Sequence, residues 1–242
     1  MQDPVALCAD AVAGWHESWL QALGLRSVRE SNLWRALDRP PSMYFAAITL
    51  QPGVPEDAVR QAPGAVCDNW QDLALDRHGL TVWRTEPWFV RGPGPVSIHQ
   101  PRELEVIRVS TPAEVEEFEA VSVHGFENED ATVTPGAIHP PSILGDSRMQ
   151  MFLGRVDGRP VGGAMGYRAD RAIGVFGVTV VALARRRGYG TALTCAAMLP
   201  ESGLPSVLAP SPEGAPLYAK LGFSRVGELS IWSNSSTAGQ VL

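Results

Sequence analysis

The chain has 242 residues, 45% of them hydrophobic and seven of them tryptophan, enough apolar material for one domain plus a subdomain. A formal charge of −6 argues against nucleic acid as a partner, because binding a phosphate backbone requires a basic face. With no run of about 18 apolar residues and no basic-then-apolar leader, neither membrane insertion nor secretion is expected, and three cysteines without C-x-x-C spacing point to a reducing, cytoplasmic setting rather than a disulfide frame or metal site.

Cys8, Val12, Trp15, Trp19 and Leu23 recur at helical spacing, and Gly24 stands where a C-terminal cap belongs, so the chain opens with an amphipathic helix. A strand is expected over Met43–Leu50. Pro55-Glu56-Asp57 opens a helical region in which Val66, Trp70 and Leu73 share a face, broken or kinked at Pro63-Gly64. Thr81–Val90 reads as a strand with an irregularity at Pro87. Alternating Gly and Pro over Arg91–Pro95 can continue neither structure and makes a linker. Residues 1–95 are therefore expected to be an N-terminal α/β subdomain. Exposed tryptophans within it would mark a homodimer interface.

Leu104–Ser110 alternates as a strand does, and Thr111-Pro112-Ala113-Glu114 is a capping box with proline in the first turn of a helix whose stripe is Val115, Phe118 and Val121. His124–Asp130 is an acidic loop, and Thr134–Ser147 is Pro-rich and irregular. Met149–Val156 and Pro160–Tyr167 are strands joined by Asp157-Gly158, a hairpin signal. After a reversal at Asp170-Arg171 comes Gly174–Val181, β-branched and apolar, suited to a strand covered on both faces.

From Gly188 onward Tyr189, Ala192, Leu193 and Ala196 recur at helical spacing until Pro200 and Gly203. Between strand and helix, Arg185, Arg186 and Arg187 set three positive charges beside a helix start, while Gly188 and Gly190 remove the Cβ atoms that keep a ligand off the backbone. Such a turn suits a polyphosphate. It is not the dinucleotide fingerprint, since Leu193 stands where the third glycine would be, and it lacks the Walker lysine. A short strand at Ser206–Pro210, a short helix at Ala215–Phe223 closed by Gly222, and a strand at Arg225–Trp232 follow.

Arg185-x-x-Gly188-x-Gly190 resembles the acyl-CoA-binding motif of the GNAT N-acetyltransferases, and Leu217-Tyr218-x-x-Leu221-Gly222-Phe223 is similar to the segment that carries their general-acid tyrosine. The element order from residue 104 is also theirs, so the resemblance covers about residues 103–235. It implies a GNAT acyl-CoA N-acyltransferase fold, an α/β (α+β) architecture with a central mixed sheet flanked by helices, beside an N-terminal part conceivable as a divergent GNAT half-fold. It implies an acetyl-CoA-dependent N-acetyltransferase, without a metal, acting on an amine of a small molecule, peptide or protein.

By the same resemblance, the backbone at Val178, Thr179 and Val180 would pair with the pantetheine arm, and an N–H near Val178 would meet the developing oxyanion. Arg185, Arg186, Arg187, Gly188, Tyr189, Gly190 and Thr191 would receive the pyrophosphate, chiefly through backbone N–H groups. Tyr218 would be the general acid, and Glu127 and Glu129 would attract the amine. The base stays open among Glu127, Glu129, His124 and ordered water, because Gly174–Val181 contains no acid where many members of the family place a Glu. Ala182 stands where the family often has Pro. Cys195 reads as a packing residue. The alternative is a non-catalytic CoA-binding regulatory or assembly protein of the same fold.

Overall fold

The computed structural model describes residues 3–96, 100–127, 130–200 and 203–234. Its contacts divide into two compact units, residues 1–91 with 207–242, and residues 92–206.

The first unit begins with helix α1, Pro4–Ala22, whose first turn is capped by the Asp3 carboxylate on the Val5 N–H and whose end gives way to Gly24 in the left-handed region, at φ 73°. Strands β1 (Ser27–Arg29), β2 (Leu33–Ala36) and β3 (Ala47–Thr49), the single-turn helix α2 (Glu56–Val59), and strands β4 (Val66–Asp68) and β5 (Thr81–Arg91) follow. The unit is completed from the C-terminal end of the chain by helix α5 (Ala215–Lys220) and the last strand, here β11 (Ser224–Ser233). Its strand order is β1-β2-β3-β4-β11-β5, antiparallel throughout except for the parallel pair β3/β4. One core cluster, Leu33, Ala47, Val59, Val66, Leu75 and Trp232, joins residues from both segments.

Several expectations for this unit are corrected. The strand expected at Met43–Leu50 shrinks to Ala47–Thr49, because the residues before it form a turn, with the Tyr44 N–H on the Pro41 carbonyl, that buries the Tyr44 ring. Val66, Trp70 and Leu73 share no helical face: Val66 opens β4, and the buried Asp68 carboxylate accepts the N–H groups of Trp70 and Leu73, holding the chain in a loop. β1 and β2 leave no periodic signal in the sequence, since three or four residues are too few to register one. Trp19, Trp34 and Trp88 are buried and Trp15, Trp70 and Trp83 half-buried, so no tryptophan among the described residues of this segment is exposed.

The second unit contains β6 (Glu105–Arg108), α3 (Pro112–Phe126), β7 (Met149–Val156), β8 (Arg159–Arg168), β9 (Ile173–Val180) and α4 (Tyr189–Ala197), with strands ordered β9-β8-β7-β6, all antiparallel. The Thr111/Glu114 capping box is formed, and Asp157 (φ 49°) and Gly158 (φ 76°) make the left-handed hairpin turn. The short strand β10 (Ser206–Leu208) lies where the chain passes back to the first unit.

Glycines in β8 bring both helices close. A Cβ at Gly163 would stand 2.7 Å from the Phe118 ring of α3, whereas one at Gly162 would stand 3.0 Å from Leu193 of α4, and one at Gly166 would strike the Ala197 carbonyl of α4. Successive strand residues face opposite sides, so α3 and α4 cover the two faces of this sheet.

Candidate active site

β9 is not a regular strand. β8 pairs Gly163 with Thr179 and Met165 with Phe176, so two residues, Gly177 and Val178, stand opposite Ala164 alone. That is a β-bulge, and Gly177 takes a left-handed conformation at φ 58°. A Cβ at 177 would also meet the Met165 methyl, the end of a flexible side chain that can move aside, so it is the left-handed backbone that favours glycine here. The bulge takes backbone groups near Val178 out of the regular ladder with β8.

Beyond Val180 the chain makes a 3-10 turn at Ala182–Ala184 and enters α4 through the three arginines and Gly188. Arg186 (φ 63°) and Gly188 (φ 84°) are both left-handed, a conformation that folds neighbouring N–H groups into an anion-binding concavity. The first intrahelical bond of α4 is from the Ala192 N–H to the Gly188 carbonyl, so the N–H groups of Tyr189, Gly190 and Thr191 have no partner within the helix. The helix dipole adds about half a positive charge there.

The side chains around this turn divide. Arg186 and Arg187 are exposed, and neither enters an ion pair among the described residues. Arg185 is engaged elsewhere: Nε donates to the Val180 carbonyl at 3.0 Å and Nη2 to the Gly125 carbonyl at 2.8 Å. The Tyr189 ring is buried with Leu104, Ala184 and Ala192, its hydroxyl donating to Glu103 at 3.0 Å, so only its backbone N–H is available to a ligand. Val178 and Val180 are half-buried and Thr179 is buried.

Tyr218 belongs to the first unit. The Phe223 N–H bonds to the Tyr218 carbonyl and the Gly222 N–H to the Ala219 carbonyl, both at 3.0 Å, with Gly222 left-handed at φ 86°. This is a Schellman motif, whose hydrophobic contact is the edge-to-face pair of Tyr218 and Phe223. The Leu-Gly-Phe triplet therefore orients the half-buried tyrosine.

On the acceptor side, Glu127 is exposed and follows the last residue of α3, and Glu129 lies outside the described residues. His124 Nε2 donates to the Ala131 carbonyl at 3.3 Å. A cleft of about 400 Å³ lined by Val109, Ile143, Met149 and Met151 shares no residue with the Arg-rich turn, so it is not where the donor motif converges.

Residues 114–223 match the family model of the acetyltransferase (GNAT) family. That segment is similar to a GNAT acetyltransferase domain. No curated protein matches the sequence closely. A GCN5-related N-acetyltransferase from Kribbella flavida is 22% identical with a TM-score of 0.64, the match covering 93% of this chain and 95% of that one. A protein assigned to the GNAT family from Novosphingobium aromaticivorans is 20% identical with a TM-score of 0.60, over 93% and 98% of the two chains. A functionally unknown conserved protein from Staphylococcus epidermidis is 13% identical with a TM-score of 0.57, over 86% and 92%. These likenesses establish the GNAT fold, and they extend through the N-terminal segment.

Within the matched segment, sequence reasoning missed two features. The bulge had a signal, since Gly177 interrupts a β-branched run. Glu119, one turn after Val115 on the apolar stripe of α3, is buried and accepts the N–H groups of Gly136 (2.6 Å), Ile138 (2.7 Å) and His139 (2.9 Å), fixing the Pro-rich segment to the helix. Among the described residues no helix is long and apolar enough to cross a membrane, and no group of three or more His, Cys, Asp or Glu could hold a metal.

Proposed function

We propose that this chain is an acetyl-CoA-dependent N-acetyltransferase that moves an acetyl group to an amine of a small molecule, peptide or protein, and that it works in the cytoplasm. One observation carries the reading: a single strand-turn-helix path offers main-chain groups first at the Gly177-Val178 bulge and then at the start of α4. An extended ligand with a polarisable carbonyl at one end and a diphosphate at the other could follow that path.

Bound acetyl-CoA supplies an acyl group activated as a thioester. The N–H near Val178 stabilises negative charge on the acyl oxygen, a contact whose loss costs about 3 kcal/mol in other acyl-transfer sites. Thr179 and Val180 offer backbone partners to the pantetheine amides in the manner of an added strand. The N–H groups from Gly188 to Thr191 take phosphate oxygens, and Arg186 and Arg187 add charge from solvent-facing positions. Tyr218 is the proton donor to the departing sulfur, and Glu127 with Glu129 draws in a cationic amine.

Isothermal calorimetry with CoA, and release of free thiol from acetyl-CoA in the presence of an amine panel, test the reading. Binding together with amine-dependent release is expected. Failure to bind CoA overturns it. Binding without release on any amine favours a non-catalytic CoA-binding protein, a second reading supported by the absence of an acidic residue from Gly174–Val181.

A further inference from the structure

We propose that Arg185 is a positioning residue for the amine-acceptor side of the site rather than a ligand of the donor's phosphates; this rests on the acetyltransferase reading above. The three consecutive arginines look equivalent in sequence, but their surroundings differ. All three are exposed, and Arg186 and Arg187 have no ion-pair partner among the described residues, whereas the Arg185 guanidinium spends Nε on the carbonyl of Val180, the last residue of β9, and Nη2 on the carbonyl of Gly125.

Gly125 is the penultimate residue of α3, so its carbonyl is one of the last four that a helix cannot satisfy internally. The neighbouring Val123 carbonyl is taken by the Glu127 N–H. Arg185 thus closes the end of α3 from 60 residues away, placing a cation at the negative end of the helix dipole. The helix end also touches the donor strand directly, because a side chain at Gly125 would collide with the Thr179 hydroxyl. Immediately beyond come Phe126, 42% exposed, and Glu127, the first acid of the acceptor loop.

The arginine fork therefore ties the start of the acceptor loop to the last residue of the strand assigned to the pantetheine. Lysine, with a single nitrogen on a flexible stem, cannot reproduce two bonds at fixed angles. Holding Phe126 and Glu127 in register with β9 is what this contact adds. Without it the acceptor loop loses its fixed origin while the start of α4 keeps its amides.

The experiment compares wild type, Arg185→Ala, Arg185→Lys and Arg187→Ala by hydrogen exchange of the Val123–Glu127 amides without ligand, by calorimetry with CoA, and by steady-state kinetics with acetyl-CoA and the fastest amine among n-butylamine, spermidine, lysine methyl ester and a short peptide. Arg185→Ala is expected to speed exchange over Val123–Glu127 at least tenfold and raise the amine KM at least tenfold, with the CoA Kd within threefold of wild type; Arg185→Lys falls between. Arg187→Ala is expected to weaken CoA and leave exchange and amine KM within threefold. If Arg185→Ala weakens CoA as much as Arg187→Ala does, or leaves exchange unchanged, the positioning role is overturned. Should wild type bind no CoA, the acetyltransferase reading fails instead, a separable result because exchange is read without CoA. If the alanine variant does not fold, the lysine variant carries the same comparison.

Discussion

The rings of Tyr218 and Phe223 meet edge to face, their centroids 6.0 Å apart and their planes at 76°. The contact belongs to the C-terminal cap of α5 and depends on the ring of Tyr218, not on its hydroxyl. Tyr218→Phe keeps that ring contact and is therefore expected to preserve the fold and to leave the CoA Kd unchanged. Turnover should fall by about 10²-fold, the usual contribution of a positioned acid. Full turnover in this variant would remove Tyr218 from the acid role.

Gly125 and Thr179 test the packing of α3 on β9. A Cβ at Gly125 would meet the Thr179 hydroxyl and lie 3.2 Å from its Cβ, with the backbone of a helix end on one side and of a strand on the other. Gly125→Ala should cost about 2 kcal/mol by overpacking, read as a shift in the urea midpoint. Thr179→Ala in the same chain should restore at least half of that loss, because it removes the obstructing oxygen. Strict additivity of the two substitutions would show that the collision is relieved in some other way.

His16 sets a pH dependence of stability. It lies on α1, fully enclosed, with Nδ1 donating to the Val12 carbonyl at 2.8 Å and the ring stacked on Phe45, and Trp15, Trp34 and Tyr44 also pack on it. Burial lowers its pKa from 6.5 to about 4. Between those values the unfolded chain binds a proton that the folded chain refuses, so this contribution is full above pH 6.5 and is lost as pH falls toward 4, by about 3 kcal/mol in all. Buried His139, lowered to about 3, acts in the same sense, whereas Asp68 and Glu86, both raised by burial, favour the folded state at low pH. The His16 share is isolated by following the stability difference between wild type and His16→Phe from pH 7.5 to 4.5. It should move by about 2 to 3 kcal/mol. A pH-independent difference would mean that folding does not shift the pKa of His16.

The last strand makes the chain indivisible at the Gly-Pro linker. β11 pairs with β5 along Ser224–Ser233 and with β4 through Ser230–Trp232, and it buries Leu229, Ile231 and Trp232. Residues 96–242 alone would present that strand with neither neighbour, an exposed apolar edge prone to aggregation. This fragment is expected to be insoluble or to lack a cooperative melt, and co-expression with residues 1–95 should recover soluble protein. A soluble fragment melting cooperatively within a few degrees of the whole chain would contradict this.

Features whose causes lie within a few residues are legible from the amino-acid sequence alone. The Thr111/Glu114 cap, the Asp157-Gly158 turn, the run of β9 into α4 through left-handed Gly188, and the closure of α5 by Gly222 follow from local hydrogen bonding and from glycine's access to positive φ. The order of elements from β6 to β11 is readable for the same reason, and with it the family pattern. What tertiary structure alone decides is the set of partners distant in sequence. Three-residue strands such as β1 and β4 exist only because neighbours supply their hydrogen bonds, the guanidinium of Arg185 meets a carbonyl 60 residues earlier, and the hydroxyl of Tyr189 meets a carboxylate 86 residues earlier. Periodicity records which face of an element is apolar, but not what covers it, and a charged side chain carries no local mark of whether it will face a ligand or close a helix.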